Sequence, residues 1–82
     1  MPNRSSTQTI RDHVLASEST YAGYSLVVFH REGAGFRFQV WESDRLVYDS
    51  CEEYSESLDD AENCAHKVAI ADRAGDLANW RK

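Results

Sequence analysis

Long apolar runs are missing from this chain of 82 residues. None exceeds four residues, the length of Leu26-Val27-Val28-Phe29, far short of the roughly 20 residues that a membrane-spanning helix needs. The opening segment MPNRSSTQT lacks the apolar stretch of a signal peptide, so the expected compartment is the cytoplasm. Cysteine is scarce. A secreted domain this small normally carries several crosslinks, whereas only Cys51 and Cys64 occur here. Zinc-ligand spacings are absent too: Cys51, Cys64 and His66, with His13 or His30 as a fourth group, contain no CxxC or HxxxH pair. Cys64 and His66, two apart on a helix, point in different directions. No metal and no cofactor is expected. Glu32-Gly33-Ala34-Gly35 is not a phosphate loop, because neither Lys-Ser/Thr nor a helix start follows it.

Basic residues are lacking in one region. From Glu42 to Glu62 there are nine acids against Arg45 alone, a local charge of −8, so the rest of the chain carries +3 and the whole −5. Non-specific nucleic-acid binding comes largely from Lys and Arg, so this balance argues against a nucleic-acid partner. The plainer account of the acids is a solvated turn and the first turn of a helix.

What is present is a strong architectural pattern. Three strand candidates follow one another: Tyr24–Arg31, Gly35–Glu42 and Arg45–Ser50. They are rich in β-branched and aromatic residues. In the second, Phe36, Phe38 and Val40 alternate with Arg37, Gln39 and Trp41, so the first set faces a core and the second set the opposite side. In the third, strict alternation puts Leu46 and Tyr48 on one face and Val47 and Asp49 on the other. Ser43-Asp44 reads as a two-residue hairpin turn without the glycine that type I′ turns prefer. Ser57 reads as a helix N-cap with Asp60 in the capping-box position. Leu58, Ala61, Ala65, Val68 and Ala69 form one apolar stripe with Cys64 at its edge, and Gly75 ends the helix. The expected fold is α+β: a three-stranded antiparallel meander with the Leu58–Ala74 helix packed on one face. Residues 21–82 form this single domain. Residues 1–20 are expected to be a flexible or weakly ordered arm, with a weak helical stripe of Ile10, Val14 and Leu15 inside Thr9–Glu18.

Candidate site residues follow from the faces. Arg37, Gln39 and Trp41 form a row on the face away from the helix. Arginine and tryptophan together on a sheet suit either a protein hot spot or a platform for stacking bases. The bland alternative is that Trp41 packs beneath the N-terminal arm, with Arg37 screening its edge. Ile70 lies opposite the alanine stripe and, with Trp80, is the candidate for a homodimer patch. Its bland alternative is a scattered surface residue. No catalytic set stands out: Glu52, Glu53 and Glu56 sit in a polar turn, and working carboxylates need burial or a tuned partner. Either outer strand, the first or the third, leaves an edge for pairing with another chain.

Residues 35–69, GFRFQVWESDRLVYDSCEEYSESLDDAENCAHKVA, resemble the small YegP-like proteins of bacteria. The matching positions are Phe36, Phe38 and Val40 in one strand, then Val47 and Ser50. Tyr54 and Ser55 match the step into the helix, and Ala61, Glu62 and Asn63 its start. The chain departs from that pattern in an extra residue before the helix, an acidic balance and a longer N-terminal arm. The resemblance implies the strand-strand-helix fold and no defined activity. The functional expectation is therefore a small non-enzymatic interaction module, self-associating or binding another protein through the open sheet face. The alternative is nucleic-acid binding by that same face.

Overall fold

The structure is a computed structural model, and it describes residues 13–79. The element order is β1 (Val14–Tyr21), β2 (Tyr24–Arg31), β3 (Gly35–Glu42), β4 (Arg45–Asp49) and α1 (Leu58–Arg73), with a short 3-10 turn at Leu77–Asn79. The four strands form one antiparallel sheet in the order β1-β2-β3-β4. The expected three-stranded meander is thus corrected to four strands. Val14–Tyr21 belongs neither to an arm nor to a helix: it pairs along β2, from Val14 opposite His30 to Tyr21 opposite Tyr24. The stretch Tyr24–Arg31 is consequently an inner strand, and the two outer strands are β1 and β4. The expectation of a mobile Met1–Gln8 segment, Ile10 and the start of the supposed helical stripe lie outside the described residues.

The added strand is built by its turn. Ala22 and Gly23 both take positive φ, 51° and 90°. A two-residue turn of this hand matches the twist of flanking strands and brings β1 back along β2. At the next hairpin, Gly35 has φ 124°, and a Cβ there would stand 2.5 Å from the Ser55 carbonyl oxygen. That close approach is used: Phe36 and Ser55 exchange both main-chain hydrogen bonds, at 2.9 and 2.7 Å. Past the end of β4, Ser55 thereby continues to cover the outer edge of β3.

Helix α1 begins at Ser57, whose hydroxyl accepts a hydrogen bond from the Asp60 N–H. It ends in a Schellman motif, with Asp76 N–H bonded to the Ala71 carbonyl and Gly75 N–H to that of Asp72. Its buried residues are Ala61, Ala65, Val68 and Ala69, and they pack on Tyr24, Leu26, Val28, Phe38 and Val40. Leu58 and Cys64 are partly buried at the margins of this core. Small side chains on the stripe let the helix backbone sit close to the sheet, so enlargement there has little room.

Two substitutions test the hairpins by urea denaturation. Gly35→Ala places a Cβ against Ser55 and forces an L-residue into a disfavoured conformation, and is expected to cost about 2–3 kcal/mol. Ala22→Asn supplies the residue that tolerates the left-handed region in an Xaa-Gly turn, and is expected to stabilise by about 0.5–1 kcal/mol.

Candidate functional site

The face of the sheet away from α1 carries Val27, Phe29, Arg37, Gln39 and Trp41, since Val27 pairs with Gln39, Phe29 with Arg37 and Ser25 with Trp41. What brings Asp49 of β4 to this face is a bulge. Glu42 opposes Arg45 and Trp41 opposes Leu46, but Val40 opposes Tyr48 and Gln39 opposes Asp49. Val47 is the extra residue. Without it, Tyr48 would oppose Gln39 and Asp49 would oppose Phe38, placing a carboxylate against the helix core. With it, Tyr48 stacks on Phe38, ring centroids 5.6 Å apart, and Asp49 turns to the second face. The expected pairing of Leu46 with Tyr48 on one face is corrected accordingly. Leu46 stands with Trp41 on the second face, while Val47 and Tyr48 pack against the helix-side core.

Asp49 organises the row. Its carboxylate accepts hydrogen bonds from Arg37 Nε at 3.0 Å and Nη2 at 2.9 Å, from Gln39 Nε2 at 3.0 Å and from the Cys51 N–H at 2.8 Å. Gln39 passes the chain on, its Oε1 accepting from Trp41 Nε1 at 3.0 Å. Burial alone would push the Asp49 carboxyl up, but the bonds from Arg37, the Cys51 N–H and Gln39 together hold it below the ordinary carboxylate range. The same bond raises the Arg37 guanidinium against the opposing effect of burial. The three residues expected as a row are therefore brought together, and Asp49, the partner of Arg37 and Gln39, is the member that sequence reasoning missed. Signal for it existed only in the bulge, which is invisible to strict alternation.

This face is not uniformly open. Val27 and Phe29 are 1% exposed and Gln39 is 6% exposed, although among the described residues no helix lies over them. Leu46, by contrast, is 44% exposed. At one corner Tyr54 Oη and His13 Nε2 are 2.9 Å apart, with the two rings stacked at 5.9 Å. β1, the described part of the supposed arm, extends the sheet sideways and does not lie across this row.

On the helix side, the Tyr24 hydroxyl donates to Asp72 at 2.7 Å, and Arg45 also reaches Asp72, at 3.2 Å. The bond to Asp72, with burial and the charge of Asp72 adding to it, raises the Tyr24 phenol to about 12. Ile70 is exposed at 48%, and Trp80 lies outside the described residues. Cys51 and Cys64 are free thiols. Among the described residues no three His, Cys, Asp or Glu side chains gather as a metal site, and no helix is long and apolar enough to cross a membrane. Compared with protein-family models, curated proteins and solved structures, the chain matches none.

A depressed carboxyl stabilises the fold above its unfolded value near about 3.9 and loses that contribution as pH falls through the folded value. Asp49→Asn is expected to lower stability by about 1–2 kcal/mol near neutral pH. The variant should then lose less than the parent on acidification to about pH 2.5. Parallel urea titrations at the two pH values check this, and identical pH slopes would rule out Asp49 as the titrating group.

Proposed function

We propose that the protein is a small non-enzymatic interaction module that binds a partner protein through the second face of its sheet, at the end where Trp41 and Leu46 stand side by side. The observation that carries this reading is Leu46: a large apolar side chain, 44% exposed, set directly opposite Trp41 by the hairpin register ahead of the bulge. Beside it the Arg37–Asp49–Gln39–Trp41 chain of hydrogen bonds holds each polar side chain in one orientation. An apolar anchor next to a rigid aromatic and polar rim is the usual composition of a binding hot spot. Pre-ordered side chains also lose little freedom on association.

The nucleic-acid reading ranks below it. Arg37 is the cation of the row, and its fork is already bidentate to Asp49, while the net charge is −5. The proposed setting is the cytoplasm, whose reducing conditions suit two free thiols. Kinship with the YegP-like proteins stays a proposal resting on residues 35–69, and it adds no activity.

Photo-crosslinking in cells tests the surface. A photoreactive residue at Leu46 should give a discrete protein adduct that Trp41→Ala removes, while the same probe at Lys67, on the outer side of α1, gives none. No adduct from Leu46, or the same adducts from both positions, would sink the proposal. Binding to an oligonucleotide that weakens steeply with salt would favour the rival.

A further inference from the structure

We propose that the outer edge of β1 pairs with the same edge of a second copy of this chain, giving a two-fold dimer with one sheet running through both. The inference is separate from the second-face reading, because it uses the main chain of β1 and one flank of α1.

The direction of the β1 hydrogen-bonding groups follows from bonds two strands away. Phe36 exchanges both its main-chain bonds with Ser55, and the Phe38 carbonyl accepts from Ser50 N–H, so these residues point away from β2. Alternation then turns Arg37, Gln39 and Trp41 toward β2. Through the registers Phe29–Arg37 and Val27–Gln39, Phe29 and Val27 point toward β3, and Tyr24, Leu26 and Val28 toward β1. Their partners Tyr21, Ser19 and Ser17 therefore point inward. Glu18 and Thr20 point their N–H and C=O groups outward. Among the described residues nothing pairs with that edge.

The two outer strands are guarded unequally. β4 is five residues long, carries the Val47 bulge and begins at Arg45. β1 is eight residues long, holds neither Lys, Arg nor Pro, and has only Glu18 as a charge. Its protections are the register shift at Ala16 and the single charge of Glu18. That leaves Ser17–Tyr21 regular and open, where natural edges are usually blocked by charge, proline or brevity.

A second copy fits this stretch in one symmetric register. With the two-fold axis at Ser19, Glu18 of one protomer and Thr20 of its partner exchange main-chain bonds, and the reciprocal pair does the same. The two Glu18 carboxylates then avoid the directly opposed position that is unfavourable for like charges. The same axis sets Ser17 opposite the partner's Tyr21. In each protomer the Ser17 hydroxyl donates to Glu62, and the Tyr21 ring lies 4.3 Å from that of His66. The dimer thus brings a carboxylate, a hydrogen-bond acceptor, toward the phenol and imidazole of the partner, which can donate, on both sides of the axis, a hydrogen-bonding complementarity that the chain supplies to itself.

Sedimentation equilibrium over a concentration series, paired with amide hydrogen exchange, tests the dimer. The mass should rise from one copy to two. The Glu18 and Thr20 amides should become slower to exchange as dimer forms, and the inward Ser19 amide should not change. Thr20→Pro removes an outward donor without touching the β1–β2 ladder and should raise the dissociation constant at least about 10-fold. Leu46→Asp should leave it unchanged. A single-copy mass throughout, with concentration-independent exchange, would overturn the inference. So would a dimer weakened by Leu46→Asp and indifferent to Thr20→Pro, which would move self-association to the second face. If Thr20→Pro does not fold, the exchange of Glu18 and Thr20 in the unaltered protein decides alone.

Discussion

One extra residue in β4 sets the chemistry of both faces of the sheet. By inserting Val47, the chain gives Tyr48 to the helix-side core and Asp49 to the far side. The energetic reason is plain. An unpaired carboxylate beside Phe38 would lose its hydration, at a cost of several kcal/mol, whereas Tyr48 there adds a stacked ring. A local loss of ladder regularity is small beside that difference. The packing of Tyr48 beneath α1 and the bidentate pair of Asp49 with Arg37 both presuppose this register.

The helix depends on the same arrangement from above. Its alanines meet a floor of Leu26, Val28, Phe38 and Val40 that is level enough for close contact. Tyr24 and Arg45 both reach Asp72 near the end of α1, so the sheet end closest to the β3–β4 turn is tied to the helix C-terminus. At the other end Ser50 is buried, with its hydroxyl accepting from the Phe38 N–H at 3.0 Å and its own N–H donating to the Phe38 carbonyl. Ser50 so closes the ladder where β4 stops and leaves no buried main-chain group of Phe38 without a partner.

Much of this was legible in the sequence, for local reasons. The alternation of Phe36, Phe38 and Val40, the Ser57 cap, the alanine stripe and Gly75 each announce a conformation within a few residues, and each lies where expected. β1 was not legible because VLASESTY has almost nothing to bury: every residue from Val14 to Thr20 except Ser17 is exposed. Hydrophobic periodicity is silent for such a strand, and a strong neighbour across the Ala22-Gly23 turn imposes its conformation. Of the candidate site, Arg37, Gln39 and Trp41 were readable as one row because parity alone places them. Their engagement with Asp49 was not, because a bulge breaks parity. Ile70 was placed correctly on the outer side of α1 by helical spacing.

The sequential strand order has a kinetic side. Each strand pairs with the one just before it through a turn of two or three residues, so the sheet assembles by closing short loops in succession, at little entropic cost for each. The helix and the segment leading into it bring distant parts of the chain together, as in Ser17 with Glu62, Tyr24 with Asp72 and His13 with Tyr54. Docking of α1 is then the slow and cooperative event, and until it occurs the sheet's apolar floor stays open to water.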